Sequence, residues 1–272
     1  MIKKIFANHI ACGLVVVVVI GIIACSGTSS PSDFKYDLNQ KGDGVVILGY
    51  KGKAKEVVVP SEIEKLPVTE IGQEDTYGNG ALSNNSSVTS IVIPDSVKII
   101  FGDTFAANSN LKKVTLPADF KVSFYGQNGL GQASNVLPRG MFRGCNELSS
   151  FTIPKGITFI GASAFESTGL TSIVIPEGVT IIAASAFLYC KNLKSVTLPQ
   201  SLKVLGPGAF DGCSSLETIT LPSHKLEWNS YQDYDLGLFS NHDSQAFRGC
   251  TKLSLQTRKA IQDLGYPDGF TN

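Results

Sequence analysis

The residues that could perform chemistry are concentrated in one stretch near the C-terminal end of the sequence. His224 and His242 lie there together with three carboxylates, Asp233, Asp235 and Asp243. Imidazole and carboxylate groups can bind a metal ion or exchange protons with a substrate. Their spacing matches no familiar set of metal ligands, and the sequence offers no grouped nucleophile, base and orienting residue. We therefore expect loop residues here, with no metal, no cofactor and no enzymatic activity.

Two further motifs indicate turns and loops rather than ligand sites. Residues 37–42 read Asp-Leu-Asn-Gln-Lys-Gly and begin like a calcium-binding loop, whose twelfth position is normally a glutamate. Leu48 occupies that position, so we expect a turn between two strands instead. Gly126, Gly129 and Gly131 do not connect a strand to a helix in the pattern of a phosphate-binding loop, and we interpret them as loop residues.

Four of the six cysteines occupy one position relative to a phenylalanine. Each lies three residues after a Phe, and the corresponding position holds asparagine in two earlier segments. The residues concerned are Cys145, Cys190, Cys213 and Cys250, with Asn85 and Asn108. This alternation predicts an inward column of small side chains that supports successive turns. A disulfide between Cys190 and Cys213 is the alternative, and it requires Cα atoms within about 7 Å. Metal binding is not expected, because the sequence contains no Cys-x-x-Cys motif.

These positions belong to a repeat of about 23 residues. The form Leu-x-x-Ile-x-Ile-Pro returns at 88–94, 111–117, 148–154, 170–176, 193–199 and 216–222, and a degenerate first copy ends at Pro60. An Ala-Phe pair or a variant follows, 11 positions after the Pro in four copies. One such unit cannot bury its own apolar side, so neighbouring copies must stack. The sequence therefore predicts a β-rich leucine-rich-repeat solenoid with parallel strands and about seven copies.

Alternation within one copy predicts which side chains enter the core. In the copy 170–176 the expected inward residues are Leu170, Ile173 and Ile175, and the outward ones are Thr171, Ser172 and Val174. The Pro at the end of the copy lacks the N–H that further pairing would need. After the last copy, residues 255–264 followed by Gly265 predict a short capping helix.

Two copies are longer than the others by the same amount. From Pro117 to Phe142 and from Pro222 to Phe247 there are 25 positions instead of 11, which indicates 14-residue insertions near 119–140 and 224–245. Aromatic residues on exposed loops commonly anchor a partner. The candidates for binding are Phe124, Tyr125, Trp228, Tyr231 and Tyr234. Packing of these aromatic residues over a solenoid edge is the alternative, and we expect both insertions to leave the stack from the same edge.

The N-terminal segment predicts export and lipid attachment. Lys3 and Lys4 precede an apolar run over 10–24, which is shorter than the span of about 20 residues that a membrane-crossing helix needs. The sequence Ile-Ile-Ala-Cys ending at Cys25 resembles the bacterial lipoprotein signal, in which cleavage frees a cysteine that receives lipid. We expect a signal peptide at 1–24, lipidation of Cys25 and a flexible tether over 25–33. The protein would then be attached to the cell envelope, at the outer membrane or cell surface.

The charge balance argues against nucleic acid as a partner. The chain has 23 Lys and Arg against 23 Asp and Glu, and charged residues make up only 17% of it. Without a net positive field, attraction to a polyanion has no basis.

The Ile-Pro and Ala-Phe landmarks resemble the leucine-rich repeats of the BspA-like type, also called the Treponema pallidum class. The resemblance covers the chain from about residue 34 and implies an N-terminal cap at 34–53, a repeat array at 54–252 and a C-terminal cap at 253–272. It also implies a non-catalytic surface protein that adheres to a protein or glycan of a host or neighbouring cell. An envelope scaffold without a dedicated ligand is the alternative, since a fold does not fix a function.

Overall fold

The computed structural model describes residues 29–73, 80–117, 123–124, 133–228 and 245–266. The predicted signal peptide and Cys25 lie outside these residues, as do Tyr125, Tyr231, Tyr234 and the side chains of Phe124 and Trp228. The described chain is a parallel-strand β-solenoid of about seven turns, with successive copies about 23 residues apart. The solenoid predicted from the repeat is confirmed.

Short strands make up most of the regular structure. In the first half of the chain they are β1 (Phe34–Leu38), β2 (Val45–Tyr50), β3 (Glu56–Val58), β4 (Glu62–Ile63), β5 (Leu66–Ile71), β6 (Ser90–Val92), β7 (Ile99–Ile100), β8 (Lys113–Thr115) and β9 (Ser123–Phe124). In the second half they are β10 (Ala133–Ser134), β11 (Val136–Leu137), β12 (Phe159–Ile160), β13 (Ser172–Val174), β14 (Ile181–Ile182), β15 (Ser195–Thr197), β16 (Val204–Leu205), β17 (Thr218–Thr220) and β18 (Glu227–Trp228). A 3-10 helix at Pro31–Asp33 precedes the strands, and an α-helix, α1 (Leu255–Asp263), follows them.

Each turn of the solenoid has three sides. On the first side, parallel strands pair in two runs, β3-β6-β8 and β13-β15-β17, which we call the first ladder. On the second side, the parallel runs β2-β5-β7 and β11-β12-β14-β16-β18 form the second ladder. The third side is a column of hydrogen-bonded turns, each centred on the Phe of its copy, which we call the Phe turn ladder. Backbone groups thus find partners in the adjacent copy, which an isolated copy could not supply.

Alternation along the first ladder separates core from surface. Leu170, Ile173 and Ile175 are buried, whereas Val174 is 66% exposed. β13 ends shortly before Pro176, as expected for a residue that cannot donate to another rung. The predicted inward and outward positions of this copy are confirmed.

In the described chain, six phenylalanine rings stack behind the Phe turn ladder. They belong to Phe105, Phe142, Phe165, Phe187, Phe210 and Phe247, all of them buried. Successive ring centroids lie 5.1–5.5 Å apart, with interplanar angles of 4–22°. The backbone follows the same period, because the N–H of every one of these Phe residues except Phe247 donates to a carbonyl of the next copy, as Phe187 does to Ala209 at 2.8 Å. Ring stacking and backbone pairing therefore favour the same register.

The turns around five of the six Phe residues, from Phe105 to Phe210, use a left-handed backbone two residues before and two residues after the ring. Ser185 and Tyr189 flank Phe187 with φ of 58° and 56°. Gly208 and Gly212 hold the same positions in the next copy, with φ of 65° and 71°. Glycine adopts this conformation freely, whereas a residue with a Cβ loses roughly 1 kcal/mol there. The tight turn is thus kept even in copies that lack glycine.

An antiparallel hairpin and a short helix close the two ends of the stack. At the N-terminal end β1 pairs with β2, and the Asn39 side chain fastens their connecting turn by bonding Asp43 at 2.9 Å and Thr69 at 3.1 Å. The turn predicted in this region is present between the two strands. At the C-terminal end α1 begins after Ser254, whose side chain accepts a hydrogen bond from a backbone N–H, and the chain reverses at Gly265 with φ of 97°. The predicted capping helix is confirmed.

Tyr266 ends the Phe turn ladder. Its ring packs edge-on against Phe247 with centroids 5.7 Å apart, and its hydroxyl accepts a hydrogen bond from the Phe247 N–H at 3.3 Å. In an internal copy this N–H would donate to the next copy, as Phe210 does to Ala246 at 2.8 Å. The tyrosine hydroxyl therefore substitutes for the carbonyl of a further copy, as a solenoid cap must.

The ordered chain begins inside the segment predicted as a flexible tether. Ser29 is buried, and its Oγ accepts a hydrogen bond from the Val58 N–H at 3.3 Å. Ser30 caps the 3-10 helix that follows. Residues 29–33 are thus joined to the rest of the stack by Ser29 and by the Asp33 carbonyl, which accepts a hydrogen bond from the Lys51 N–H at 2.8 Å.

The two insertions are placed differently from the prediction. β11 pairs in register with β12 from Val136 onward, so the first insertion lies before the second-ladder strand of its copy. β18 pairs with β16 through Trp228, so the second insertion lies after that strand. Strand pairing thus gives narrower bounds than 119–140 and 224–245. The insertions leave the second ladder at opposite ends of its strands, and the expectation of a shared edge is wrong.

Both ladders are interrupted at the same level of the stack. Residues 149–152 form no strand between β8 and β13, and the second ladder breaks between β7 and β11. The Phe turn ladder continues across this level, since the Phe105 N–H donates to the Met141 carbonyl at 3.1 Å. Phe151 occupies an inward position that other copies fill with Ile or Val, and its ring centroid lies 4.7 Å from that of Phe142. The loss of strand pairing coincides with this larger side chain.

Candidate binding surface

The buried thiols form one column along the inside of the Phe turn ladder. The Sγ atoms of Cys190, Cys213 and Cys250 each donate to the carbonyl oxygen of the Phe in the preceding copy, at 3.0, 3.2 and 3.2 Å. Cys145 donates in the same way to Phe105 at 3.2 Å. All four are free thiols, so Cys190 and Cys213 are not bridged in this structure. Each of these carbonyls also accepts a hydrogen bond from its own copy, so the thiol adds a second bond that links adjacent copies.

The two asparagines of the column behave differently from each other. Asn108 is buried, and its Nδ2 donates to the Leu82 carbonyl of the preceding copy at 2.7 Å. Its Oδ1 accepts a hydrogen bond from the Asn85 N–H at 2.8 Å. The Asn85 side chain instead accepts from the N–H and Oγ of Ser87, because it belongs to the first copy and has no preceding Phe turn to reach.

Thr168 also belongs to the column, although it was not predicted. Its Oγ1 donates to the carbonyl of Phe165 at 2.9 Å and lies 3.2 Å from Cys190 Sγ. Thr168 follows its Phe by three residues, as the cysteines do. Counting that position in every copy, whatever residue it held, would have identified it.

Burial keeps three of the four thiols protonated. It raises the pKa of Cys145 and of Cys250 to about 12, and it raises the pKa of Cys213 well above 9.0. A protonated thiol can donate the observed hydrogen bonds, whereas the thiolate is the form that attacks electrophiles and binds metals. These contacts favour a structural role for the column.

Two ion pairs have no counterpart in the sequence-based predictions. Arg143 binds Asp103, with Nη2 at 2.9 Å and Nε at 3.3 Å from Oδ1, and Arg248 binds the carboxylate of Asp211. The aspartate side chains are only 3% and 9% exposed. Both arginines lie in a Phe-Arg-Gly-Cys segment that forms the first Phe turn after an insertion. Each pair therefore ties the returning chain to the preceding copy, and the shared tetrapeptide is the signal that would have revealed it.

The predicted cluster of histidines and carboxylates is described only in part. His224 Nε2 lies 2.7 Å from the carbonyl oxygen of Leu202 in the preceding copy. His242, Asp233, Asp235 and Asp243 lie outside the described residues. Within the described ranges, no three His, Cys, Asp or Glu side chains are grouped so that they could hold a metal ion.

The outward face of the first ladder carries a regular strip of short side chains. Strands β13, β15 and β17 align two outward columns in register: Ser172, Ser195 and Thr218 in one, Val174, Thr197 and Thr220 in the other. We call these six residues the hydroxyl strip, since all of them except Val174 carry a hydroxyl group. All six are exposed or half-exposed, and neighbouring rungs lie roughly 4.8 Å apart. Because none of the six is charged or longer than a threonine or valine, the strip is flat and neutral.

The strands that contain Phe124 and Trp228 do not belong to the ladder that carries the hydroxyl strip. β9 contains Phe124 and pairs antiparallel with β10, and β18 places Trp228 beside Leu205 in the second ladder. The strip lies on the first ladder, which is another side of the coil. Strand β18 and the strip therefore lie on different sides of the coil, while Tyr125, Tyr231 and Tyr234 lie outside the described residues.

The stacked parallel strands, the in-phase apolar columns and the two caps define this chain as a leucine-rich-repeat solenoid. The BspA type leucine-rich repeat region matches it in six copies, over residues 57–128 and 130–236. The chain therefore belongs to the BspA-type leucine-rich repeat family, as the resemblance of its Ile-Pro and Ala-Phe landmarks indicated.

Solved structures of similar proteins support the same assignment. The leucine-rich repeat protein of T. pallidum is similar with a TM-score of 0.69 and 26% identity, over 90% of this chain and 99% of that chain. A leucine-rich repeat protein from Bacteroides ovatus is similar with a TM-score of 0.60 and 29% identity, over 72% of this chain and 47% of that chain. Among curated proteins there is no match.

The family gives a general expectation of function. BspA-type proteins generally take part in protein–protein interaction or adhesion, are typically non-catalytic and are typically surface or secreted bacterial proteins. Within the residues that the structure describes, no helix is both long enough and apolar enough to cross a membrane.

Proposed function

We propose that this protein is a lipid-anchored surface protein that binds a protein or glycan partner without catalysing a reaction. The observation that carries the proposal is the hydroxyl strip, an exposed array of short side chains aligned in register on three paired strands. Family membership supports a binding role in general, and the strip supplies a specific surface for it.

The strip suits binding because the ladder already holds it in place. The backbones of Ser172, Ser195 and Thr218 are fixed by pairing between strands, so a partner would need to order little more than short hydroxyl groups. A hydroxyl both donates and accepts hydrogen bonds. The repeating spacing fits a partner whose polar groups also repeat, such as an extended polypeptide or a glycan chain.

The insertions provide the second part of the proposed interface. Phe124 and Tyr125 in the first and Trp228, Tyr231 and Tyr234 in the second are the proposed contacts. Large aromatic side chains bury much area for little loss of conformational freedom, which is why they dominate many interfaces. An ion pair follows each insertion and fixes the chain to the solenoid at that point.

Export and lipidation of Cys25 complete the proposal. The uncharged apolar run over 10–24, which ends with the small residue Ala24 directly before the cysteine, supports it. In a bacterium that processes lipoproteins, labelled palmitate should enter the Cys25→Ala chain no more than background, while the Cys12→Ala control is labelled like the natural protein. Equal labelling of the natural and Cys25→Ala chains would contradict lipidation at this residue.

Two matched deletions test the role of the insertions. Removing 118–131 or 229–242 restores 11 positions between Pro and Phe, so the repeat register is preserved. We expect at least one deletion to weaken binding of purified protein to immobilised matrix proteins or glycans, with an unchanged unfolding midpoint. If both deletions bind as the natural chain does, the insertions have no role in recognition.

Substitution in the strip tests the surface that carries the proposal. Thr197→Arg places a long charged side chain in the middle of the strip, and Thr251→Arg places the same side chain on an exposed turn elsewhere. We expect only the first to reduce binding. If neither changes binding, and protease treatment of intact cells spares the protein, an internal envelope scaffold explains the chain better.

A further inference from the structure

The chain enters the solenoid at its first copy, a short distance from the proposed lipid. Ser29 contacts β3, because its Oγ accepts a hydrogen bond from the Val58 N–H. Only residues 25–28 connect Cys25 to Ser29. At roughly 3.3 Å per extended residue, this connection reaches about 13 Å. A lipid on Cys25 would therefore hold the first copy close to the bilayer surface, whatever conformation those four residues adopt.

A loop with three lysines lies at this end of the stack. Residues 51–55 read Lys-Gly-Lys-Ala-Lys, and we call them the lysine loop. Lys51, Lys53 and Lys55 are all exposed. Glu56 follows the loop at the start of β3 and is also exposed, so the segment 51–56 carries three positive charges and one negative charge, a net charge of +2. The end of the stack nearest the tether thus presents three ammonium groups within five residues.

Backbone contacts hold the lysine loop beside the entry point. The Lys51 N–H donates at 2.8 Å to the carbonyl of Asp33, the last residue of the 3-10 helix. The Ala54 N–H donates to the Tyr50 hydroxyl at 3.2 Å. The lysine loop is therefore fixed at the same end of the molecule as Ser29.

We propose that the lysine loop docks on anionic lipid headgroups, so that the first copy lies on the membrane and the later copies extend away from it. This inference rests on the proposed lipidation of Cys25. A lysine near an anionic surface gains about 1 kcal/mol, but only within a screening length of roughly 8 Å in physiological salt. The short connection keeps the loop within or near that range, which raises the effective concentration of the headgroups around it.

Docking at this end would orient the proposed binding surface. Six inter-strand steps of roughly 4.8 Å separate β3 from β17, or about 29 Å in all. The hydroxyl strip begins at β13, four steps from β3, or about 19 Å. The strip and the second insertion would therefore face outward, where a partner in another cell or matrix could reach them.

The test uses the full chain, processed by a lipoprotein-exporting bacterium and reconstituted into vesicles of phosphatidylglycerol and phosphatidylcholine. A fluorophore is attached to a cysteine introduced as Lys35→Cys in β1 or as Lys259→Cys in α1, both exposed positions at opposite ends. The four native repeat thiols are buried and should not be labelled. A spin-labelled headgroup lipid then quenches any fluorophore close to the bilayer surface. We expect loss of fluorescence at position 35 and no loss at position 259.

A longer tether distinguishes docking of the lysine loop from closeness to the bilayer that the short connection alone imposes. With 20 Gly-Ser residues inserted between Thr28 and Ser29, the label at position 35 should stay quenched in phosphatidylglycerol vesicles. Replacing Lys51, Lys53 and Lys55 by Gln in the long-tether chain should abolish this quenching. A control chain carries Gln at three exposed lysines of later copies, Lys191, Lys194 and Lys203, and should stay quenched.

Three results would overturn the docking. They are equal quenching at both ends, loss of quenching on lengthening the tether, and quenching that survives replacement of the lysine loop. Mass analysis of the N-terminal peptide is done first on every sample. A chain without lipid refutes the proposed anchor, whereas a lipidated chain that is not quenched refutes only the docking.

Discussion

The phenylalanine stack makes a quantitative prediction about coupling between neighbouring copies. The rings of Phe187 and Phe210 are stacked with centroids 5.1 Å apart and planes 6° apart. Replacing either by leucine keeps most of the buried apolar area but removes the aromatic contact, which contributes about 0.5–1.5 kcal/mol per pair. Each single substitution loses two such contacts and should destabilise by about 1–3 kcal/mol. The double substitution loses the shared contact only once, so it should cost about 0.5–1.5 kcal/mol less than the sum.

Urea denaturation of the chain without its leader would measure this coupling. The control is a second cycle on Phe165 and Phe210, which are separated by the Phe187 ring. Residues without direct contact are usually additive within about 0.5 kcal/mol. A coupling for the adjacent pair no larger than that of the separated pair would refute the role of ring stacking in registering the copies.

Three further substitutions and one change of pH have defined outcomes. Ala107→Gly should raise the free energy of unfolding by up to about 1 kcal/mol, because Ala107 is exposed with φ of 57°, whereas Ala260→Gly within α1 should lower it by about 1 kcal/mol. Urea denaturation decides both, and a destabilised Ala107→Gly chain would contradict the left-handed turn. Arg143→Met should lower the free energy of unfolding by about 1–2 kcal/mol, a figure that already allows for the partial exposure of Arg143. In 1 M salt, the free energies of unfolding of this variant and of the natural chain should differ by less. Stability should fall as pH rises from 9.0 toward about 12, since unfolded thiols ionise in this window while burial keeps Cys145 and Cys250 protonated. The fall should be shallower in a chain with alanine at both cysteines, and an equal slope would show that the thiols do not contribute.

The spacing of the sequence was sufficient to predict the solenoid. Pro176 and Phe187 recur at fixed separations in neighbouring copies, and only an in-phase stack gives such a pattern one set of inward columns. The inward positions follow from the two-residue period of a strand, as Ile173 and Ile175 show. These features depend on local alternation and on repetition, both of which can be read from residue types.

Other features depend on contacts that residue types do not report. Ser185 and Tyr189 adopt a left-handed backbone although neither residue type favours it, because hydrogen bonds to the next copy hold the turn. The corner at which each insertion leaves the coil depends on which residues pair in the second ladder, as Val136 and Trp228 do. Equal insertion lengths could not give that information.

The candidate binding surface was predicted only in part. The outward hydroxyls follow from the same alternation as the core, so Ser172 and its neighbours could be assigned to the surface. Their alignment into a flat strip across β13, β15 and β17 depends on the register between copies. The lysine loop could not be recognised as a binding site from its residue types alone, because its proposed role depends on the contact of Ser29 with the first copy.

The most direct test of the parallel stack is a pair of engineered disulfides on the first ladder. Ser195 pairs in register with Thr218, so their Cα atoms should lie roughly 4.8 Å apart, within the range that a disulfide spans. Thr220 is two residues further along the strand, about 8 Å from Ser195, which is beyond that range. Under mild oxidation, the chain with Ser195→Cys and Thr218→Cys should form an intramolecular bridge, and the chain with Ser195→Cys and Thr220→Cys should not. Bridging of the second pair in preference to the first would show that the copies do not stack in this register.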